Sequence, residues 1–147
     1  MFKVLLEREK KKPRDVGLLY KVGEKFDDRG MYDEANKRWE MVVRLDPENK
    51  EGKSDDALFG LGRSYLSQND FGQAIKEFNP LISTFPLSDL ASDAQLYVGY
   101  CYEREGDRDK AIATYRRFVS DHPDADGAKW ARKRIGGLTA GEKKKGK

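Results

Sequence analysis

The sequence predicts an all-α fold built of stacked antiparallel helix pairs, and three observations carry that expectation. Three small-residue pairs, Val22-Gly23, Leu61-Gly62 and Val98-Gly99, are each followed twelve residues on by Ala35, Ala74 and Ala111, and twelve further by Pro47, Pro86 and Pro123. An aromatic stands three residues after each glycine (Phe26, Tyr65, Tyr102) and four after each alanine (Trp39, Phe78, Tyr115), which is helical spacing on both sides. Composition agrees: of 147 residues 37% are hydrophobic and 37% charged, with a net charge of +3. Such a chain is too polar for one thick core and too neutral and patterned for disorder. A thin core drawn out along an elongated body fits both facts.

The elements follow in order. Phe2, Leu5 and Leu6 at helical spacing predict a helix over 2–11, stopped before Pro13, which lies 34 residues ahead of Pro47. Residues 1–14 therefore read either as the second helix of an upstream repeat or as a frayed N-terminal extension. The repeat domain is expected over 15–138, with repeats at about 16–49, 55–88 and 92–125. Between glycine and alanine lie Asp28-Arg29-Gly30, Gln68-Asn69-Asp70 and Glu105-Gly106-Asp107, rich in helix stops, so each repeat is a helix, a turn and a second helix. The glycine and the alanine let the paired helices approach, and the proline ends the second one because it lacks the N–H that continuation needs. Ser88 is a good N-cap, which starts the next helix about one turn early. The run from Pro123 to Ala131 repeats this entry pattern, predicting a capping helix over 126–138 stopped at Gly136-Gly137, and then a disordered basic tail over 139–147.

These markers resemble the tetratricopeptide repeat family, whose unit of about 34 residues carries small and aromatic residues in this order. The spacing here is longer, Ala35 to Ala74 and Ala74 to Ala111 being 39 and 37 residues. The Pro-x-Ser-x-x-Ala-x-x-Ala run from Pro86 to Ala94 resembles a bacterial branch that includes the outer-membrane barrel assembly lipoprotein and the periplasmic coordinator of the Tol-Pal system. The resemblance implies a right-handed α-solenoid of three repeats plus a cap, acting as a non-catalytic module that binds a protein or peptide segment in its concave groove, a scaffold or adaptor. The alternative is a structural spacer or self-assembly segment of a multidomain or cell-envelope protein with no groove ligand.

The remaining patterns narrow the chemistry. Excess positive charge sits at the ends, in Lys10-Lys11-Lys12 and Lys143-Lys144-Lys145, as solvated runs rather than a nucleic-acid patch. The single cysteine, Cys101, excludes an internal disulfide and any cysteine-based zinc cluster. The single histidine, His122, precedes Pro123 where Asp46 and Phe85 stand in the other repeats, and it reads as structural. Gly60-x-Gly62 lacks the third glycine of a dinucleotide fingerprint, and Asp124-x-Asp126-Gly127 fails as a calcium loop. No enzyme activity, cofactor or metal is therefore expected. No run approaches the length of a membrane span, so no membrane insertion is expected. The compartment is cytoplasmic if Met1 is the native start and periplasmic if the chain derives from an envelope protein.

Helical offsets turn a row of first-helix side chains toward the groove. These are Tyr20 and Glu24 in repeat one, Phe59 and Arg63 in repeat two, Leu96, Tyr100, Glu103 and Arg104 in repeat three, and Trp130 and Lys133 on the cap. Their aromatic members serve either as interface anchors or as packing between adjacent first helices. Family members that clamp chaperone tails use Lys and Asn in this row, so the resemblance implies a different ligand: an extended or helical segment with apolar anchors, placed in register by Arg63, Glu103 and Arg104.

Overall fold

The structure, a computed structural model, describes residues 1–145. It is all-α, with α1 Phe2–Lys11, α2 Val16–Asp27, α3 Tyr32–Leu45, α4 Ser54–Ser67, α5 Phe71–Thr84, α6 Asp89–Arg104, α7 Arg108–Asp121 and α8 Asp126–Lys145. The fold class is the α-solenoid of antiparallel helix pairs, with α2 packed on α3 and α6 packed on α7. Contacts divide the chain into two compact units, Met1–Glu77 and Phe78 onward.

The turn inside each pair is made the same way three times. Seven residues after the paired glycine the backbone takes a positive φ, at Gly30 (69°), Asn69 (58°) and Gly106 (82°). The next amide then reaches back to the aromatic residue of the first helix: Met31 N–H to Phe26 carbonyl at 3.0 Å, Asp70 to Tyr65 at 2.9 Å, Asp107 to Tyr102 at 2.9 Å. This is the left-handed helix stop that glycine and asparagine supply at least cost. Asp15, Ser88 and Asp107 cap the starts of α2, α6 and α7 by accepting from the amides of Leu18, Leu90 and Lys110.

In the first unit, α3 packs between α2 and α4, and α1 packs on α2. Val22, Ala35, Trp39, Val42, Ala57 and Leu61 form its core. Phe2 of α1 meets Phe26 edge-on with ring centroids 4.8 Å apart, and the Glu9 carboxylate pairs with the Arg38 guanidinium at 2.9 Å. The extra length after the first repeat is a built loop. The buried Asp46 carboxylate accepts from the amides of Lys50 and Glu51, both at 2.8 Å, while the Asn49 side chain accepts from Ser54 N–H at 2.8 Å.

In the second unit, α7 packs on α6 and α8 around Ala111, Tyr115, Phe118, Ala128 and Ala131. Here one expectation is corrected. The cap does not stop at Gly136-Gly137; α8 continues to Lys145, so most of the segment expected as a disordered tail is helical. Glycine weakens a helix by only about 1 kcal/mol relative to alanine, and no proline follows to remove a hydrogen bond. Ile135 and Leu138, on either side of the glycine pair, pack against the core, and the Arg108 guanidinium donates to the Leu138 carbonyl. Positions 146 and 147 lie outside the described residues.

Candidate functional site

Three of the ten residues expected in the groove meet around one cleft of the second unit. Leu96 and Tyr100 on α6 and Trp130 on α8 line a space of about 460 Å³, together with Asp93 and Tyr97. The α6 members recur at i, i+3, i+4 and i+7, so a single face of that helix supplies them. The apolar and aromatic members are held in place by their neighbours. Tyr97 stacks on Phe78, with ring centroids 5.5 Å apart and planes 9° from parallel. Trp130 stands edge-on to the buried Tyr115 at 5.5 Å, yet 41% of its surface stays open to solvent. Leu96 reaches over the start of α8 because residue 127 is glycine: a Cβ there would come within 2.5 Å of Leu96 Cδ1. One turn beyond Tyr100, the exposed Arg104 donates to the Tyr100 hydroxyl at 2.8 Å. The result is a largely apolar, aromatic-walled cleft with the Asp93 carboxylate among its lining.

Lys133 is exposed on α8, three residues beyond Trp130. Glu103 is placed differently from the sequence reading. Its carboxylate is enclosed, accepting from the Tyr115 hydroxyl at 3.0 Å and from Arg134 Nε at 3.2 Å, and so it ties α6 to α7 and α8 instead of facing a ligand. Burial, reinforced by that carboxylate, drives the Tyr115 phenol well above its ordinary range.

The other expected groove residues lie in the first unit. Tyr20 is half-buried against the core, its ring centroid 6.5 Å from that of Trp39, with the Lys53 ammonium 5.0 Å from the ring centroid. Burial and the neighbouring Glu24 raise its phenol. Glu24 and Arg63 are exposed and Phe59 is half-buried. Burial raises the Asp27 carboxyl, and the Arg63 charge opposes that shift.

Asp93 and Tyr97 were missed in the sequence. A search for a complete i, i+3, i+4, i+7 stripe on α6 would have found both, since they flank Leu96 and Tyr100 on that stripe. His122 caps the end of α7, its N–H donating to the Phe118 carbonyl at 2.8 Å and its ring 5.1 Å from that of Phe118. Among the described residues no three His, Cys, Asp or Glu side chains gather as a metal site, and no helix is long and apolar enough to cross a membrane.

Comparison with known proteins adds three findings. The model of the family described as YfiO, outer membrane lipoprotein, matches residues 51–146. The outer membrane protein assembly factor BamD of Neisseria meningitidis serogroup B is 30% identical over 94 residues, covering 62% of this chain and 35% of that protein. Its counterpart in Neisseria gonorrhoeae is 32% identical over 82 residues, covering 54% and 31%. The chain thus spans about a third of the length of the curated relatives it matches. Among solved structures, MamA superposes with a TM-score of 0.77 at 26% identity, over 96% of this chain and 76% of that one. The TPR domain of Arabidopsis OM64 superposes with a TM-score of 0.65 at 18% identity, over 82% and 93%, a likeness of fold.

Proposed function

The chain belongs to the YfiO family of outer membrane lipoproteins, and from that premise we propose that it is a non-catalytic scaffold module that holds a partner protein at the cell envelope, gripping one segment of it in the α6–α8 cleft. The observation that carries this reading is Trp130: a tryptophan fixed edge-on by Tyr115 while 41% exposed is a rigid, ready anchor facing an apolar cavity. Leu96, Tyr97 and Tyr100 offer walls for an aromatic or branched side chain, and Asp93 favours a cation beside it. Arg104 and Lys133 stand at the margins of this cleft with Glu103 as the brace behind, while Tyr20, Glu24, Phe59 and Arg63 belong to the first unit and offer contacts of that unit by itself. The names of the matched relatives, assembly factors for outer membrane proteins, support a partner from that process and an adaptor role.

The test is a photo-crosslinking amino acid placed at Tyr97 in the native host, with Arg116 on α7 as control position. A discrete protein adduct from position 97, absent from position 116 and lost with Tyr100→Ala plus Trp130→Ala in a chain that stays helical by circular dichroism, supports the reading. Equal adducts from both positions, or adducts unaffected by the double substitution, would leave a spacer with no groove ligand.

A further inference from the structure

Four residues before the paired glycine, the first two repeats bury a leucine: Leu19 before Gly23 and Leu58 before Gly62. Repeat three has Gln95 there, with 9% of its surface exposed. No described residue hydrogen-bonds its carboxamide, and neither of its polar atoms is among the fully buried ones without a partner, so the amide stays open to solvent in the cleft it lines. Gln95 lines a cleft of about 560 Å³ between the C-terminal half of α5, α6 and α7, all within the second unit. That volume lies in the range of ligand sites, about 300–1,000 Å³. At 100° per residue Gln95 stands about 150° around α6 from the mean direction of Asp93, Leu96, Tyr97 and Tyr100, so this cleft and the one with Trp130 occupy opposite faces of the helix.

The lining selects the ligand class. Its charges are Asp89, Arg117 and Asp121, and Arg117 Nε already pairs with the Asp121 carboxylate at 3.7 Å, so the net charge does not suit an anion. Ile82 and Val98 give it apolar patches. A carboxamide presents one N–H and one C=O side by side, the same two groups that one residue of an extended chain presents along its edge. We propose that this cleft binds an extended peptide segment, with Gln95 Nε2 donating to a main-chain carbonyl and Oε1 accepting the main-chain N–H of the same residue. Recognition through the main chain tolerates varied side chains, with small apolar ones set against Ile82 and Val98.

The experiment is a titration of the ¹⁵N-labelled chain with acetyl-tetraalanine amide, following the Gln95 side-chain amide signals by NMR. A saturable shift of those signals is expected. In Gln95→Leu the backbone amides around the cleft should respond about tenfold more weakly or not at all, as the loss of two hydrogen bonds implies. The same variant should melt at a higher temperature, because leucine fills this position at 19 and 58. Gln95→Met, similar in shape and lacking the amide, repeats the binding test if the leucine variant misfolds. Four outcomes would overturn the proposal: no shift up to saturating peptide, equal backbone responses in the leucine or methionine variant, an equal shift on adding sodium phosphate in place of the peptide, or a lower melting temperature for a well-folded Gln95→Leu.

Discussion

Gly99 and Tyr115 are fitted to each other so closely that a single added carbon would collide: a Cβ at Gly99 would lie 2.5 Å from Tyr115 Cε1 and 2.7 Å from Cδ1. The Tyr115 ring is fully buried, held by Glu103 at its hydroxyl and Trp130 at its face, so it has nowhere to retreat. Gly23 and Trp39 repeat the relationship in the first unit, at 2.5 Å to the indole Nε1. The Gly-then-aromatic register of the sequence is thus a statement about how near two helix axes come.

Gly99→Ala is expected to lower the unfolding free energy by about 1–3 kcal/mol, the usual cost of overpacking a tight seam. Gly136 stands 37 residues on, at the same register on α8, but nothing lies within 4 Å of its missing Cβ. Gly136→Ala should therefore raise stability by about 0.5–1 kcal/mol through helix propensity alone. Urea melts of the two variants check the pair; shifts of the same sign would contradict this packing.

Removing the Glu103 carboxylate should cost more than removing its cationic partner. Glu103→Leu takes the acceptor away from the enclosed Tyr115 hydroxyl, at about 1–3 kcal/mol. The Arg134 side chain is 42% exposed, so Arg134→Met should cost under about 1 kcal/mol. Denaturant midpoints in the reverse order would show that the ion pair, rather than the phenol hydrogen bond, holds the brace.

Burial, with a smaller push from Glu105, raises the Cys101 thiol from 9.0 to about 12. The fold thus favours the neutral thiol, so its contribution is fully present below pH 9 and is lost as pH rises toward 12. Stability should be level up to about pH 8 and then fall, by at most about 1.4 kcal/mol per pH unit for one group. Cys101→Ala should remove the earliest part of that fall, leaving the part from Tyr20 and Tyr115, both raised from 10.0. Native protein at pH 8 should react with iodoacetamide far more slowly than unfolded protein; equal rates would mean that the thiol is accessible.

Gly127→Ala should rearrange the cleft and leave the fold standing. The new methyl meets the flexible tip of Leu96 at 2.5 Å, which can swing aside, and approaches the Phe118 ring at 3.2 Å. A displaced Leu96 methyl signal in NMR, with a melting temperature lowered by only a few degrees, is the expected pair of results. An unmoved Leu96 would remove the glycine from the account of the site.

Much of the fold is legible in the chain because it rests on local steric rules repeated in register. Gly30, Asn69 and Gly106 stop the first helices, and Pro47, Pro86 and Pro123 follow the ends of the second. Gly136-Gly137 misleads for a physical reason. A glycine pair ends a helix readily when nothing holds the following turn, and here Ile135, Leu138 and Arg108 hold it. The candidate site was legible in part: Leu96, Tyr100 and Trp130 come together, and Arg104 borders them. Glu103 shares their helix but turns inward, because a buried phenol and a guanidinium on α7 and α8 offer it better partners than water does.

The helix pairs, their turns and their close approach follow from local rules, since each depends on residues a few positions apart and on whether a side chain has a Cβ. Which polar groups are satisfied and which surfaces stay open depends on packing between helices distant in the chain. Glu103 and Gln95 are both polar residues on α6, and nothing local separates them. One is enclosed by Tyr115 and Arg134, while the other meets a cleft with its amide unanswered, because the positions of α5, α7 and α8 around that helix determine which hydrogen-bond partners each can reach.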